Sequence, residues 1–180
     1  STPPAAGAAG PPSAAGAAGP VPAGALTALL EPWLPRQRWF AHKGTDVTVT
    51  GVGLVPLAAA PSSPPEGPAG EEDVHVLLAV VSTRTGDGEE ATYQVPLTVR
   101  PSPVPELEHA VVGELAGLGR VHDGPHDPAF VRALLHLVST GGGAGTLGVP
   151  SLHGVAPAGA LPVPAGTRSR ITRGEQSNTS

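Results

Sequence analysis

The sequence predicts an α+β domain, an antiparallel β-sheet packed with one or two helices and preceded by a disordered N-terminal arm. Three stretches carry that expectation. "VHVLLAVVS" (Val74–Ser82) and "ATYQVPLTVR" (Ala91–Arg100) are apolar, β-rich runs, and "TRTGDGEE" between them holds the glycines and aspartate of a hairpin loop. "DVTVTGVGLVPL" alternates, with Val47 and Val49 on one side and Asp46, Thr48 and Thr50 on the other, as a half-buried strand does. A helix from Pro128 to Val138 has Asp127 to cap it and proline at its first position.

Taken in order, residues 1–24 repeat "AAGAAGP" at Ala5–Pro11 and Ala14–Pro20. Almost no large apolar side chain is present there to offset the ordering entropy, so the arm is expected to be unstructured. Order should begin at "ALTALLEPWLPRQRWFAHKG", where Leu26, Leu29 and Leu30 have helical spacing until Pro32 and Pro35 end the helix. After the alternating strand, residues 58–73 read as a Pro/Gly loop closed by Glu71, Glu72 and Asp73. Pro96 cannot donate to a ladder, which puts the second hairpin strand at an edge or gives it a bulge. In "PELEHAVVGELAGLG", Leu107, Val111 and Leu115 share a helical face. Gly113 and Gly117 weaken that helix and leave a strand through Ala110–Val112 open. In the last helix Phe130, Leu134, Leu137 and Val138 form the apolar stripe, and "STGGGAG" ends it.

Composition bounds the function. Leu, Val, Ile and Phe make up about 23% of the chain, little above the level of roughly 20% below which chains stay disordered. Gly and Pro number 25 and 23 among 180 residues, so a small core embedded in Gly/Pro-rich loops is expected. The net charge of −5 argues against the basic face that nucleic acid requires. The absence of cysteine excludes disulfides, thiolate metal sites and cysteine nucleophiles. No apolar run approaches a membrane span and no signal-peptide pattern opens the chain, so it reads as soluble and cytoplasmic.

Few residues point to chemistry. His122 and His126 have helical metal-ligand spacing, but Gly124 and Pro125 break the helix that would make them converge, and Asp127 has a simpler role as an N-cap. The carboxylates at 71–73 and at Glu89 and Glu90 read as solvated loop charge. "WLPRQRWFAHKG" gathers Trp33, Trp39 and Phe40 around Arg36 and Arg38. Stacking of nucleic-acid bases is one use for that pattern. In an acidic chain poor in large side chains, a packing anchor is the better one. At the end, "GEQSNTS" offers successive backbone N–H groups and the side chains of Gln176, Ser177, Asn178, Thr179 and Ser180, a composition that suits a phosphate-cradling turn.

Taken as an ordered set, "WLPRQRWFAHKG", "VPLTVR", "HDGPHDPAFVRALL" and "GEQSNTS" resemble the N-terminal cap region of bacterial maltokinases, including the kinase half of trehalose synthase–maltokinase fusions. The resemblance covers roughly Leu26 to Ser180, least well at 58–73 and 141–168. It implies three regions: an arm at 1–24, a cap domain at 25–168, and the start of a kinase N-lobe at 169–180. It also implies an ATP- and Mg²⁺-dependent enzyme that phosphorylates maltose to maltose 1-phosphate for α-glucan synthesis. Gln176–Ser180 would then bind the nucleotide phosphates. The kinase C-terminal region would be the cap's partner, and a trehalose synthase a further candidate. The catalytic residues of such a kinase would follow Ser180, so these 180 residues alone are expected to be inactive. His42 departs from the family, which usually has a small residue there, commonly glycine. The alternative is a stand-alone, non-catalytic cap module that binds a partner enzyme of trehalose or α-glucan metabolism.

Overall fold

The computed structural model describes residues 20–58, 74–145 and 151–160, together with Thr167 and Ser169. Helix α1 spans Ala23–Trp33 and runs into a 3-10 turn at Leu34–Arg36. Strands β1 (Val47–Leu57), β2 (His75–Thr85) and β3 (Glu90–Arg100) follow, then a 3-10 turn at Pro105–Ala110. Next come β4 (Val111–Leu115), β5 (Gly119–Asp123), a 3-10 turn at Gly124–His126 and helix α2 (Pro128–Thr140). A two-residue ladder joins β6 (Gly143–Ala144) to β7 (Leu152–His153). The five main strands form one antiparallel sheet in the order β1-β2-β3-β5-β4. Among the described residues no helix is long and apolar enough to cross a membrane.

The hairpin is the one the sequence predicts, slightly longer: Thr83–Thr85 join β2, and Gly86–Glu89 make the turn. Pro96 lies in a strand with neighbours on both sides, and no bulge marks it in the β2 ladder. The resolution is that β5 pairs only with Leu97–Arg100. Up to Pro96, β3 has β2 alone beside it, so proline occupies the last position where a missing donor breaks no ladder.

Strand β1 carries a bulge between Val49 and Gly51. Before it the odd residues Val47 and Val49 face α1, and after it Val52 and Leu54 do. Val55 and Leu57 face the other way, toward α2. Both faces of the sheet are therefore covered. On one, Leu26, Leu30 and Trp33 of α1 pack on Leu77, Ala79, Val81, Val95, Leu97, Val99 and Val121. On the other, Ala129, Phe130 and Ala133 of α2 meet Val55, Leu57, Val76 and Leu78. Each large side chain so buried is worth about 1.5–3 kcal/mol. Helix α1 touches both edge strands, β1 and β4, and Glu31 accepts a hydrogen bond from the Val49 N–H (2.9 Å).

Three expectations need correction. Ala23 and Gly24, assigned to the arm at 1–24, belong to α1; residues 1–19 lie outside the described ones. Helix α1 ends at Trp33, between Pro32 and Pro35 as expected, and tightens into the 3-10 turn. Of the two readings left open for the segment around Leu107–Leu115, the strand holds and the helix does not: a 3-10 turn at Pro105–Ala110 leads into β4, which extends to Leu115 and forms a hairpin with β5. Gly117 and Gly119 have φ of 76° and 105°, and a Cβ at Gly119 would come within 2.1 Å of the Arg100 carbonyl oxygen. Finally, Leu134 is 37% exposed, and the buried stripe of α2 runs through Ala129, Phe130, Ala133 and Leu137. The helix ends as expected of its glycines: Gly141 is left-handed (φ 62°), and the Gly142 N–H reaches back to the Leu137 carbonyl (3.1 Å).

Candidate functional site

The residues that the resemblance assigns to phosphate, Gln176, Ser177, Asn178, Thr179 and Ser180, lie outside the described residues, as does the acidic cluster at 71–73. Among the described residues no group of three or more His, Asp or Glu side chains gathers as metal ligands would. A shallow hollow lined by Asp46, Thr48, Thr50, Arg84, Thr85 and Gly86 offers one arginine, and Glu90 engages it. These residues do not fit a magnesium nucleotide.

Two other constellations stand out. The first is the aromatic segment after α1. Prolines 32 and 35 force the chain to tighten there, and the Arg36 Nε and Gln37 Nε2 donate to the carbonyls of Pro32 (2.9 Å) and Trp33 (3.1 Å), satisfying groups at the helix end. Trp33, Leu34 and Phe40 are buried in the core. The Phe40 ring meets Tyr93 of β3 at 4.9 Å between centroids, and His42 meets both. The anchor expected from the sequence is thus present with one exception. Trp39 is 49% exposed, its indole resting edge-on against Trp33 (6.0 Å) and tilted against Tyr93 (5.9 Å).

The second is a polar cluster on the α2 face of the sheet. Asp127 is fully buried and caps α2 through the Ala129 N–H (2.9 Å). Its carboxylate also accepts from Arg100 Nε (2.7 Å), Arg100 Nη2 (2.8 Å) and the Thr98 hydroxyl (2.7 Å). Burial would raise that carboxyl, but the hydrogen bonds from Arg100, Ala129 and Thr98 outweigh it and hold the group below the ordinary aspartate range. His122, paired with Thr98 in the ladder, is fully buried beside them, and neither of its ring nitrogens has a hydrogen-bond partner among the described residues. Burial pushes its pKa down, against the pull of Asp127 and with the help of Arg100.

His122 and His126 are not brought together. His126 instead faces His109 across 3.1 Å and has the Asp123 carboxylate 3.8 Å from its other nitrogen. Burial raises the Asp123 carboxyl, and His126 opposes that shift. The buried Arg100–Asp127 pair escaped the sequence reading because its members are 27 residues apart in different elements. Only the cap role of Asp127 had a local signal. Glu90 begins β3 and pairs with Arg84, so it is not mere loop charge.

These clusters join elements to one another: Trp33 and Phe40 tie the end of α1 to β3, and Asp127 ties α2 to β3. They hold together an α+β domain in which a few buried polar groups reinforce an apolar core. The family model of the maltokinase N-terminal cap domain matches residues 33–127, just over half of the chain, from the first tryptophan to the buried aspartate. The chain belongs to that family. No solved structure matches it.

Proposed function

We propose that this chain is the cap region of a maltokinase, an enzyme that transfers the γ-phosphate of ATP to maltose and yields maltose 1-phosphate for α-glucan synthesis. The observation that carries the reading is the family match across Trp33–Asp127, the stretch that holds the whole five-stranded sheet and its aromatic anchor. In this reading the cap does no chemistry. Its apolar layers and the Arg100–Asp127 pair hold a rigid body beside the kinase region. ATP and Mg²⁺ belong to that region, to which Gln176–Ser180 would contribute the phosphate-binding turn. A phosphoryl-transfer site also needs a lysine, a base and metal-binding carboxylates in one place. None of the described clusters supplies that combination.

The test compares two proteins. The 180-residue chain, given ATP, Mg²⁺ and maltose, should form no maltose 1-phosphate. A longer natural chain that contains it should form the product in an ATP-dependent manner. Product from the short chain would overturn the non-catalytic role of the cap. A longer chain that fails with maltose would sink the maltokinase reading.

A further inference from the structure

We propose that His109 and His126, backed by Asp123, bind a late first-row divalent cation, with zinc as the representative ion. The site draws on this cluster alone and owes nothing to the maltokinase reading.

Topology brings the three residues together. The β4–β5 ladder pairs Val111 with His122, so the 3-10 turn that ends at Ala110 meets the one that begins at Gly124. His109 lies near the end of the first turn and His126 closes the second. Both turns are pinned. In the first, Leu107 and Ala110 are buried and Glu108 pairs with Arg120 of β5. In the second, Gly124 lies so close to β3 that a Cβ there would come within 2.9 Å of the Pro96 carbonyl carbon. Asp127, next after His126, is held in the core by Arg100 and Thr98. The two histidines are thus presented by backbone already ordered, which lowers the entropic cost of binding.

His109 Nε2 and His126 Nδ1 are 3.1 Å apart, with the ring planes at 82°. Two nitrogens that bind one zinc at about 2.0–2.1 Å lie about 2.8–3.0 Å apart at right angles and about 3.3–3.4 Å apart in a tetrahedron. The observed separation falls between those values, and a small turn of the exposed His109 ring admits the ion. The other nitrogen of His126 faces the Asp123 carboxylate at 3.8 Å. That charge favours a proton on Nε2 and leaves the Nδ1 lone pair directed at His109, an arrangement that orients histidine toward a metal. The Asp123 side chain is only 21% exposed, and among the described residues its carboxylate has no other polar partner. A cation on His126 offsets that half-buried charge.

The ligand atoms select the ion. Two neutral imidazoles suit zinc, nickel or copper(II), whereas magnesium and calcium take oxygen ligands. Water fills the positions that two protein ligands leave open. A hydrogen bond between the rings also accounts for 3.1 Å, but it gives no response to metal.

The untagged chain, labelled with ¹⁵N, is titrated with zinc chloride at about pH 7.5, where imidazoles are mostly neutral. Calorimetry reads the affinity, and long-range ¹H–¹⁵N spectra read the ring nitrogens. One zinc should bind per chain and move the His109 Nε2 and His126 Nδ1 signals, while the other five histidines stay in place. D123N should weaken binding on the order of tenfold. H109Q and H126Q should each weaken it further, and H136Q should bind as the unaltered chain does. Urea unfolding without zinc shows that each variant is folded, and the ring shifts of the unaltered chain decide the matter whatever the variants do. Zinc that leaves both nitrogens unmoved, as a hydrogen bond alone requires, overturns the proposal. So does undiminished affinity in H109Q, or displacement of zinc by an equal concentration of magnesium. One zinc per two chains would assign the ion to a contact between copies and overturn it equally.

Discussion

At the scale of single residues, Asp127 does more than its place before a helix suggests. Its own side chain type and the proline that follows it advertise a cap, and that much was legible in the sequence. The Arg100 guanidinium that meets it was not, since nothing local links a strand residue to a helix cap 27 positions away. Asp127→Asn keeps a capping side chain but removes the carboxylate charge that meets the buried Arg100 guanidinium, so stability should fall by about 3 kcal/mol or more in urea unfolding. A loss under about 1 kcal/mol would show the pair to be inconsequential. Beside it, His122 sets a pH dependence. Its folded pKa is depressed, so below the ordinary value of about 6.5 the unfolded chain binds the proton that the folded one refuses. Stability should therefore decline as pH falls from about 6.5 toward the folded pKa. Asp127 acts in the same direction lower down, its contribution being lost as pH drops through the ordinary carboxylate value toward its own depressed one. Asp123, with its raised carboxyl, works the opposite way and partly offsets Asp127. Between about pH 7.5 and 5.5 the His122 effect should dominate, so urea midpoints should fall in the wild type and fall less in His122→Leu. Equal slopes in the two proteins would rule out His122 as the source.

At the scale of elements, legibility tracked how local the deciding interaction is. The β2–β3 hairpin declares itself by two β-rich runs and a glycine-bearing turn. Helix α2 declares itself by a cap, a proline and a glycine stop. The β4–β5 hairpin did not, because Leu107, Val111 and Leu115 fall at a spacing that also suits a helix. What decides it lies elsewhere: Gly113 leaves room for Leu29 of α1, and Gly119 lies against the Arg100 carbonyl. Gly119→Ala should thus destabilise by more than about 2 kcal/mol, combining strain at positive φ with a clash against backbone. Gly44→Ala, also at positive φ but in open space, should cost about 1 kcal/mol. Chemical denaturation of the two variants separates steric from conformational cost, and equal losses would contradict the close packing at Gly119. The leucines give a parallel contrast. Leu30→Ala should cost about 2–5 kcal/mol, as a fully buried side chain does. Leu134→Ala, half way out of the predicted stripe, should cost less than about 1 kcal/mol. The segment Trp33–Phe40 lies between these cases: its role as an anchor follows from composition, but the outward turn of Trp39 has no signal in the segment itself.

At the scale of the whole molecule, one sheet serves two cores. A strand in such a sheet must present apolar side chains on both faces, which is why β2 reads as a continuous hydrophobic run. Strand β1 meets the same demand with its bulge, and that has a bearing on which changes of length the fold can absorb. Thr50 has no partner across the ladder, whereas Val49 and Gly51 face the successive residues Thr83 and Ser82. Removing Thr50 closes the bulge and leaves every other side chain of β1 on its present face. Removing Gly53 can also be absorbed there, but Gly51 and Val52 must then exchange faces. Removing Pro56 turns over Val52, Leu54 and Val55 together. The cost of a one-residue deletion should therefore climb with its distance from Thr50, a gradient that thermal unfolding of the three deletions would reveal. Strand β2, paired without a break along β3, has no such spare position. Over evolutionary time, single-residue losses in this sheet should gather at one threonine.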